Sequence, residues 1–141
     1  MTQESIIRVG LYLKGDALMP DLITARVGVN PTDAQYTGQR FCSPRGKERV
    51  AKIGMWSLIS SRRGNDVSNV LRELLSGLPR GGMKLNELSG VEEAYVDVFI
   101  CSDSPKDESS NESEFEIDRE VVSFIYQLGV SIRFSVSFVE E

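Results

Sequence analysis

The sequence predicts an α+β fold: a mainly antiparallel sheet of about four to five strands, with two main helices and a short N-terminal helix packed on one face. Residues 6–14 and residues 130–139 alternate apolar and polar side chains, which is typical of strands with one buried face. Half-buried strands of this kind belong to antiparallel sheets. Residues 66–78 instead place leucine and valine at helical spacing, which predicts the main helix covering the sheet.

The chain length and charge point to one ordinary globular domain. A length of 141 residues predicts a single domain over residues 1–141 with a substantial core. The net charge of −5 argues against binding to nucleic acid or to an anionic membrane surface. No apolar run approaches the roughly 18–20 residues that span a bilayer, and no signal-peptide pattern is visible. We therefore expect a cytoplasmic protein.

The first half of the chain is expected to hold a strand, a short helix and a central strand. The first strand covers residues 6–14. The helix begins at Pro20, which fits the first helical position, and ends at Gly28, a suitable C-terminal cap. A short edge strand is predicted near residues 36–41. A firmer strand over residues 50–60 is apolar on both faces, which favours a central position.

The second half alternates helices and strands. The longest helix is predicted over residues 66–78, with Asp66 as its N-cap. A strand over residues 95–102 follows. The last helix, residues 118–128, leads directly into the last strand, residues 131–139. We expect both helices to pack on the same face of the sheet.

The last strand has the clearest alternation in the chain. One side is apolar and the other consists of serine and one arginine. We expect the apolar side to be buried, so that replacing Phe134 by alanine would cost about 3–5 kcal/mol. That side consists of Ile132, Phe134, Val136 and Phe138.

Residues 103–116 are predicted to form an acidic, flexible loop. The stretch from 103 to 114 contains no apolar side chain. Nothing there would offset the entropy lost on ordering the backbone. We expect this loop to be mobile and dispensable for folding.

The chain contains no histidine, which excludes many familiar active sites. Serine–histidine and cysteine–histidine pairs, the usual general base and the commonest metal ligand are all missing. Cys42 and Cys101 lack the spacing of a redox or zinc motif. We therefore expect no catalytic residue, no cofactor and no metal site, and we favour a non-enzymatic protein.

Several short motifs, taken in order, resemble one known family. They are residues 18–24, residues 27–31, Gly38 in a basic segment, residues 56–60 and residues 128–130. Together they are similar to the opening, middle and end of the domain of unknown function 4279 family. The resemblance implies a small, stand-alone α+β domain of mainly bacterial distribution. It supplies no activity and no catalytic residues, and the acidic tract looks like an insertion into a loop.

Charge is distributed unevenly along the chain. Residues 40–63 hold seven basic side chains and one acidic side chain, a local charge of +6. Residues 92–120 hold eleven acidic and two basic side chains, a local charge of −9. The plain interpretation is that both are solvated surface, or that the two segments neutralise each other across the fold, with the acidic tract folding back onto the basic one. The functional interpretation is a binding surface for an anion, whose candidate residues are Arg40, Arg45, Lys47, Arg49, Arg62 and Arg63.

Two functions remain open at this point. The first is a non-enzymatic interaction domain, such as an inhibitor or an immunity-type partner of another bacterial protein. The second is a protein, or an enzyme, that binds a phosphate, a nucleotide or another small anion through residues 40–63. Without a catalytic arrangement in the sequence, we favour the first.

Overall fold

Seven strands, three α-helices and one short 3₁₀ turn make up the part of the chain that the computed structural model describes, residues 5–103 and 114–139. The α+β class is confirmed. In chain order, the elements are β1 (Ile6–Gly15), α1 (Pro20–Val27), β2 (Asp33–Gln35), β3 (Arg40–Cys42), β4 (Glu48–Val50), β5 (Gly54–Arg63), α2 (Val67–Leu75), the 3₁₀ turn (Leu85–Glu87), β6 (Glu93–Asp103), α3 (Arg119–Gln127) and β7 (Ser131–Val139).

Strand β1 lies at the centre of a five-stranded sheet with the order β2-β5-β1-β6-β7. It pairs antiparallel with β5 on one side and β6 on the other, so Leu11 lies opposite both Leu58 and Val96. Strand β2 pairs antiparallel with β5 at one edge. Strands β3 and β4 form a separate two-stranded sheet.

The pairing of the last strand differs from the predicted topology. Strand β7 pairs in parallel with β6 and has no second partner among the described strands. Two strands joined by a tight turn run antiparallel, whereas a helix between them carries the chain back and allows parallel pairing. Helix α3 provides this crossover between β6 and β7. The sheet is therefore mixed rather than purely antiparallel.

The core is built on one side of the central strands. The buried side of β1 follows the alternation that the sequence predicted, and Trp56 of β5 lies beside it, fully buried. Buried side chains of the helices belong to the same cluster, including Ile23 of α1, Leu71 of α2 and Ile125 of α3. The buried side chains of β1 in this cluster are Ile7, Val9, Leu11 and Leu13.

Three helix boundaries confirm predictions made from capping residues. Helix α1 begins at Pro20, and its C-cap Gly28 has a φ of 80° and donates its N–H to the carbonyl of Thr24 at 2.8 Å. A positive φ of this size is unfavourable for a side chain with a Cβ, which is why glycine suits the position. At the start of α2, the carboxylate of Asp66 accepts a hydrogen bond from the N–H of Asn69 at 3.0 Å.

The segment between α1 and β5 differs from the prediction. The edge strand lies at Asp33–Gln35 instead of residues 36–41. Gly38 has a φ of 89°, which interrupts an extended run, and the chain beyond it enters the β3–β4 hairpin. The strand predicted over residues 50–60 is likewise divided, since Val50 ends β4 and β5 begins only at Gly54.

The apolar side of β7 is more exposed than the sequence suggested. Phe134 is 55% exposed and Val136 is 50% exposed, so the prediction that they are buried was wrong. The cause is position: β7 lies at the edge of the sheet, while α2 contacts the central strands β1 and β5. Alternation reveals which side of a strand is apolar, but not whether a helix covers that side.

The predicted acidic loop, residues 103–116, falls largely outside the described residues, which stop at 103 and resume at 114. Its predicted mobility therefore stays a prediction. The side chain of Phe138 also lies outside the described part.

Candidate functional site

Four of the six predicted site residues lie on the two-stranded hairpin formed by residues 40–50, called the basic hairpin below. Arg40 of β3 lies opposite Val50 of β4. The turn between the strands is closed by Ser43, whose carbonyl accepts the N–H of Gly46 at 2.9 Å and whose hydroxyl accepts the N–H of Lys47 at 3.1 Å. Gly46 has a φ of 81°, which suits a residue without a Cβ.

The cations of the basic hairpin point in several directions. Arg40 and Arg49 belong to adjacent cross-strand pairs, which places them on opposite faces of the ribbon. Arg45 and Lys47 lie at the turn, and all four side chains are exposed. The guanidinium carbon of Arg49 lies 4.6 Å from the ring centroid of Phe41. The result is a short ribbon with Arg49 on one face, Arg40 and Glu48 on the other, and Arg45 and Lys47 at its tip, so that its net charge is positive.

The other two predicted site residues lie elsewhere. Arg62 and Arg63 occupy the last positions of β5, whereas the basic hairpin leads into the first residue of that strand, Gly54. A strand of ten residues places its ends roughly 30 Å apart. Arg62 also forms an ion pair with Glu73 of α2 at 2.9 Å. The structure therefore separates these two arginines from the basic hairpin.

The cations of the basic hairpin, like Arg80 and several others, are not among the ion-paired arginines of the described residues. Between α2 and α3, Arg72 contacts both Asp118 and Glu120, and its hydrogen bonds to the two carboxylates raise the pKa of this guanidinium. Within the described residues, no cation of the basic hairpin has a carboxylate partner within 4.0 Å. Among the described residues, no carboxylate in contact therefore compensates this positive charge.

Sequence reasoning missed a second group of charged and aromatic side chains on the sheet. The rings of Tyr12 and Tyr95 stack with centroids 5.3 Å apart, and the Nζ of Lys14 lies 5.1 Å from the Tyr95 centroid. Arg133 lies over the same ring at 3.7 Å and pairs with Glu93. The group could not be found from sequence because it depends on the register of three strands. Its internal ion pair favours a structural role.

Residues 5–103 and 114–139 contain neither a candidate metal site nor a candidate membrane-spanning helix. No three aspartate, glutamate or cysteine side chains come together there in a way that could hold a metal ion. None of the helices in this part has both the length and the apolar character needed to cross a bilayer. The basic hairpin is an exposed group of four cations on one short ribbon.

Comparison with known proteins gives a family and no activity. The family model described as Domain of unknown function (DUF4279) matches residues 5–139, nearly the whole chain. Searches of curated proteins and of solved structures found no match. The motifs recognised in the sequence lie within the matched range. The chain therefore belongs to the DUF4279 family.

Proposed function

We propose that this protein is a non-enzymatic interaction domain that binds an acidic surface of another protein through its basic hairpin. It would act as an inhibitor or an immunity-type partner. The observation that carries the proposal is the set of exposed cations at Arg40, Arg45, Lys47 and Arg49, none of which has an ion-pair partner among the described residues. Such a surface attracts an oppositely charged partner and orients it during association.

The placement of these cations favours an extended partner over a single small anion. A phosphate or a carboxylate is held tightly when several donors converge on one point. Here the cations lie on both faces and at the tip of a ribbon, and Arg62 and Arg63 lie at the far end of β5. A protein surface with several spaced carboxylates can contact such a ribbon at more than one point, and each arginine can bind one carboxylate through two hydrogen bonds.

The proposal also assigns stability to the core and binding to the basic hairpin. We infer that the helices cover one face of the main sheet, because buried side chains from all three share a core cluster with one side of β1. The basic hairpin contributes no residue to that cluster. Changes in the basic hairpin would therefore alter binding without removing core contacts.

The test compares two double variants that change the net charge equally, from −5 to −9. Arg45→Glu with Arg49→Glu reverses charge on the basic hairpin. Arg8→Glu with Arg63→Glu reverses two exposed charges on β1 and at the end of β5. A partner isolated by co-purification from the native cell is then purified, and its Kd is measured with each variant at about 0.05 M and about 0.5 M salt.

We expect the hairpin variant to bind at least tenfold more weakly and the control variant to bind normally. High salt should weaken binding to the unaltered protein, because exposed charges are screened within about 10 Å at ordinary ionic strength. Equal losses in both variants, or no loss in either, would contradict the proposal. A rise in melting temperature with inorganic phosphate or ATP that disappears in the hairpin variant would instead support the small-anion alternative.

A further inference from the structure

A pocket of about 150 Å³ lies between α2 and α3, close to the segment that follows α2. Its apolar lining is buried and comes from both helices, whereas its charged lining is exposed. The pocket therefore has an apolar interior and a charged entrance. The apolar lining residues are Leu75, Val121 and Phe124, and the charged ones are Arg72, Arg80 and Glu120.

The charges at the entrance are not equivalent. Arg72 contacts two carboxylates, that of Asp118 and that of Glu120 at 3.0 Å, which more than compensate its charge. Arg80 forms no ion pair with any described residue. Its guanidinium carbon lies 4.5 Å from the ring centroid of Phe124, which is a cation–π contact. A guanidinium stacked on a ring keeps the N–H groups at its edge available for a planar anion.

We infer that this pocket binds a small monocarboxylate with an apolar group about the size of a benzene ring. The carboxylate would accept paired hydrogen bonds from Arg80, and the apolar group would cover Leu75, Val121 and Phe124. The size follows from the volume, since apolar protein cavities of about 150 Å³ accommodate benzene. The carboxylates of Asp118 and Glu120 near the entrance disfavour a ligand with two or more negative charges.

Phenylacetate is a suitable probe because it combines one carboxylate with one ring. With roughly ten non-hydrogen atoms, it is expected to bind with a Kd of about 1 mM or below. Amide chemical shifts of the whole protein are followed during titration at constant ionic strength, with benzyl alcohol and acetate as controls. Benzyl alcohol has the ring without the charge, and acetate has the charge without the ring. We expect saturable shifts in residues 72–80 and 119–127 with phenylacetate, and binding at least tenfold weaker with either control.

Two variants identify the group that recognises the carboxylate. Arg80→Gln removes the charge from an exposed side chain and should weaken phenylacetate binding at least tenfold. Arg63→Gln removes the same charge at the end of β5 and should leave binding unchanged. Four outcomes would overturn the inference: no saturable shifts up to about 10 mM phenylacetate, equal binding of acetate, equal binding of benzyl alcohol, or undiminished binding to Arg80→Gln. None of these outcomes involves the basic hairpin, so each of them leaves the proposed function unaffected.

Discussion

The indole Nε1 of Trp56 donates a hydrogen bond to the hydroxyl of Thr24 at 3.0 Å, which joins β5 to α1. Trp56 is fully buried, so its N–H has lost contact with water and depends on this acceptor. Thr24 lies on the second turn of an eight-residue helix that contributes only Ile23 and Val27 to the buried residues. A single polar contact therefore helps to fix the position of a helix with a small apolar face.

We expect Thr24→Val to lower the free energy of unfolding by about 1–3 kcal/mol. The substitution keeps the shape of the side chain but leaves the buried indole N–H without an acceptor. Urea denaturation measures the loss. Thr24→Ser retains the hydroxyl and should recover most of the stability, which separates the hydrogen bond from packing. If Thr24→Val unfolds at the same urea concentration as the unaltered protein, the contact is not important.

Close packing of the backbone at the end of β1 leads to a second prediction. A Cβ built on Gly15 would overlap the carbonyl oxygen of Gly90, and one on the paired Gly54 would lie 2.7 Å from the carbonyl oxygen of Gly15. Backbone atoms cannot move aside as a flexible side chain can. Gly15→Ala should therefore lower the free energy of unfolding by about 1–3 kcal/mol or more.

Gly81 provides the matched control for this substitution, since nothing lies within 4 Å of the position of its Cβ and its φ is not positive. Gly81→Ala should leave stability unchanged or slightly raised, because it reduces the freedom of the unfolded chain. Thermal unfolding of the two variants makes the comparison. Equal melting temperatures would show that the backbone near Gly90 relaxes without cost.

The exposure of Phe134 leads to a third prediction, which replaces the loss expected from the sequence. With more than half of its surface in solvent, Phe134→Ala should cost less than about 1 kcal/mol. Leu11 is fully buried at the centre of the sheet, and Leu11→Ala should cost about 2–5 kcal/mol. Chemical denaturation of both variants tests the ranking. A loss of 3 kcal/mol or more for Phe134→Ala, in line with full burial, would mean that the side chain is covered in solution.

The predictable features of this fold are those that depend on neighbouring residues in the chain. Pro20, Gly28 and Asp66 set helix boundaries through their own backbone preferences and hydrogen bonds, and the structure has them in those roles. The direction of β7 depends on how the chain crosses from β6 through α3, and no local pattern encodes this. The exposure of Phe134 likewise depends on which strands the helices reach. The predicted direction of β7 and the predicted burial of Phe134 were therefore both wrong.

The candidate site was likewise only partly predictable from the sequence. Its cations are visible in the sequence, and four of them lie on one hairpin as neighbours in the chain should. The separation of Arg62 and Arg63 from that hairpin follows from the length of β5, which became clear only when its first residue was known to be Gly54. The arginine at the α2–α3 pocket, Arg80, lies outside the charged segments and gave no sequence signal. The position of Arg80 at the pocket depends on contacts between elements that are distant in the sequence.

A fourth prediction concerns whether the basic hairpin folds independently of the core, and it compares two glycines with nearly the same φ. Gly28 has a φ of 80° and Gly46 has a φ of 81°, and nothing lies within 4 Å of the Cβ position of either. Valine at either position should introduce similar strain, on the order of 1–2 kcal/mol. Gly28 caps α1, whose Ile23 and Val27 belong to the core cluster. Gly46 lies in the turn of the basic hairpin, whose two strands are mostly exposed.

Gly28→Val should therefore lower the free energy of global unfolding by about 1–2 kcal/mol, because the strain remains as long as α1 stays packed. In Gly46→Val the hairpin can open locally and release the strain, so the global value should change by less than about 0.5 kcal/mol. Amide hydrogen exchange should then accelerate in residues 40–50 of Gly46→Val and remain unchanged in β1. If Gly46→Val lowers global stability as much as Gly28→Val does, the basic hairpin is part of the cooperative core. Charge reversal there could then no longer be interpreted as a change in binding alone.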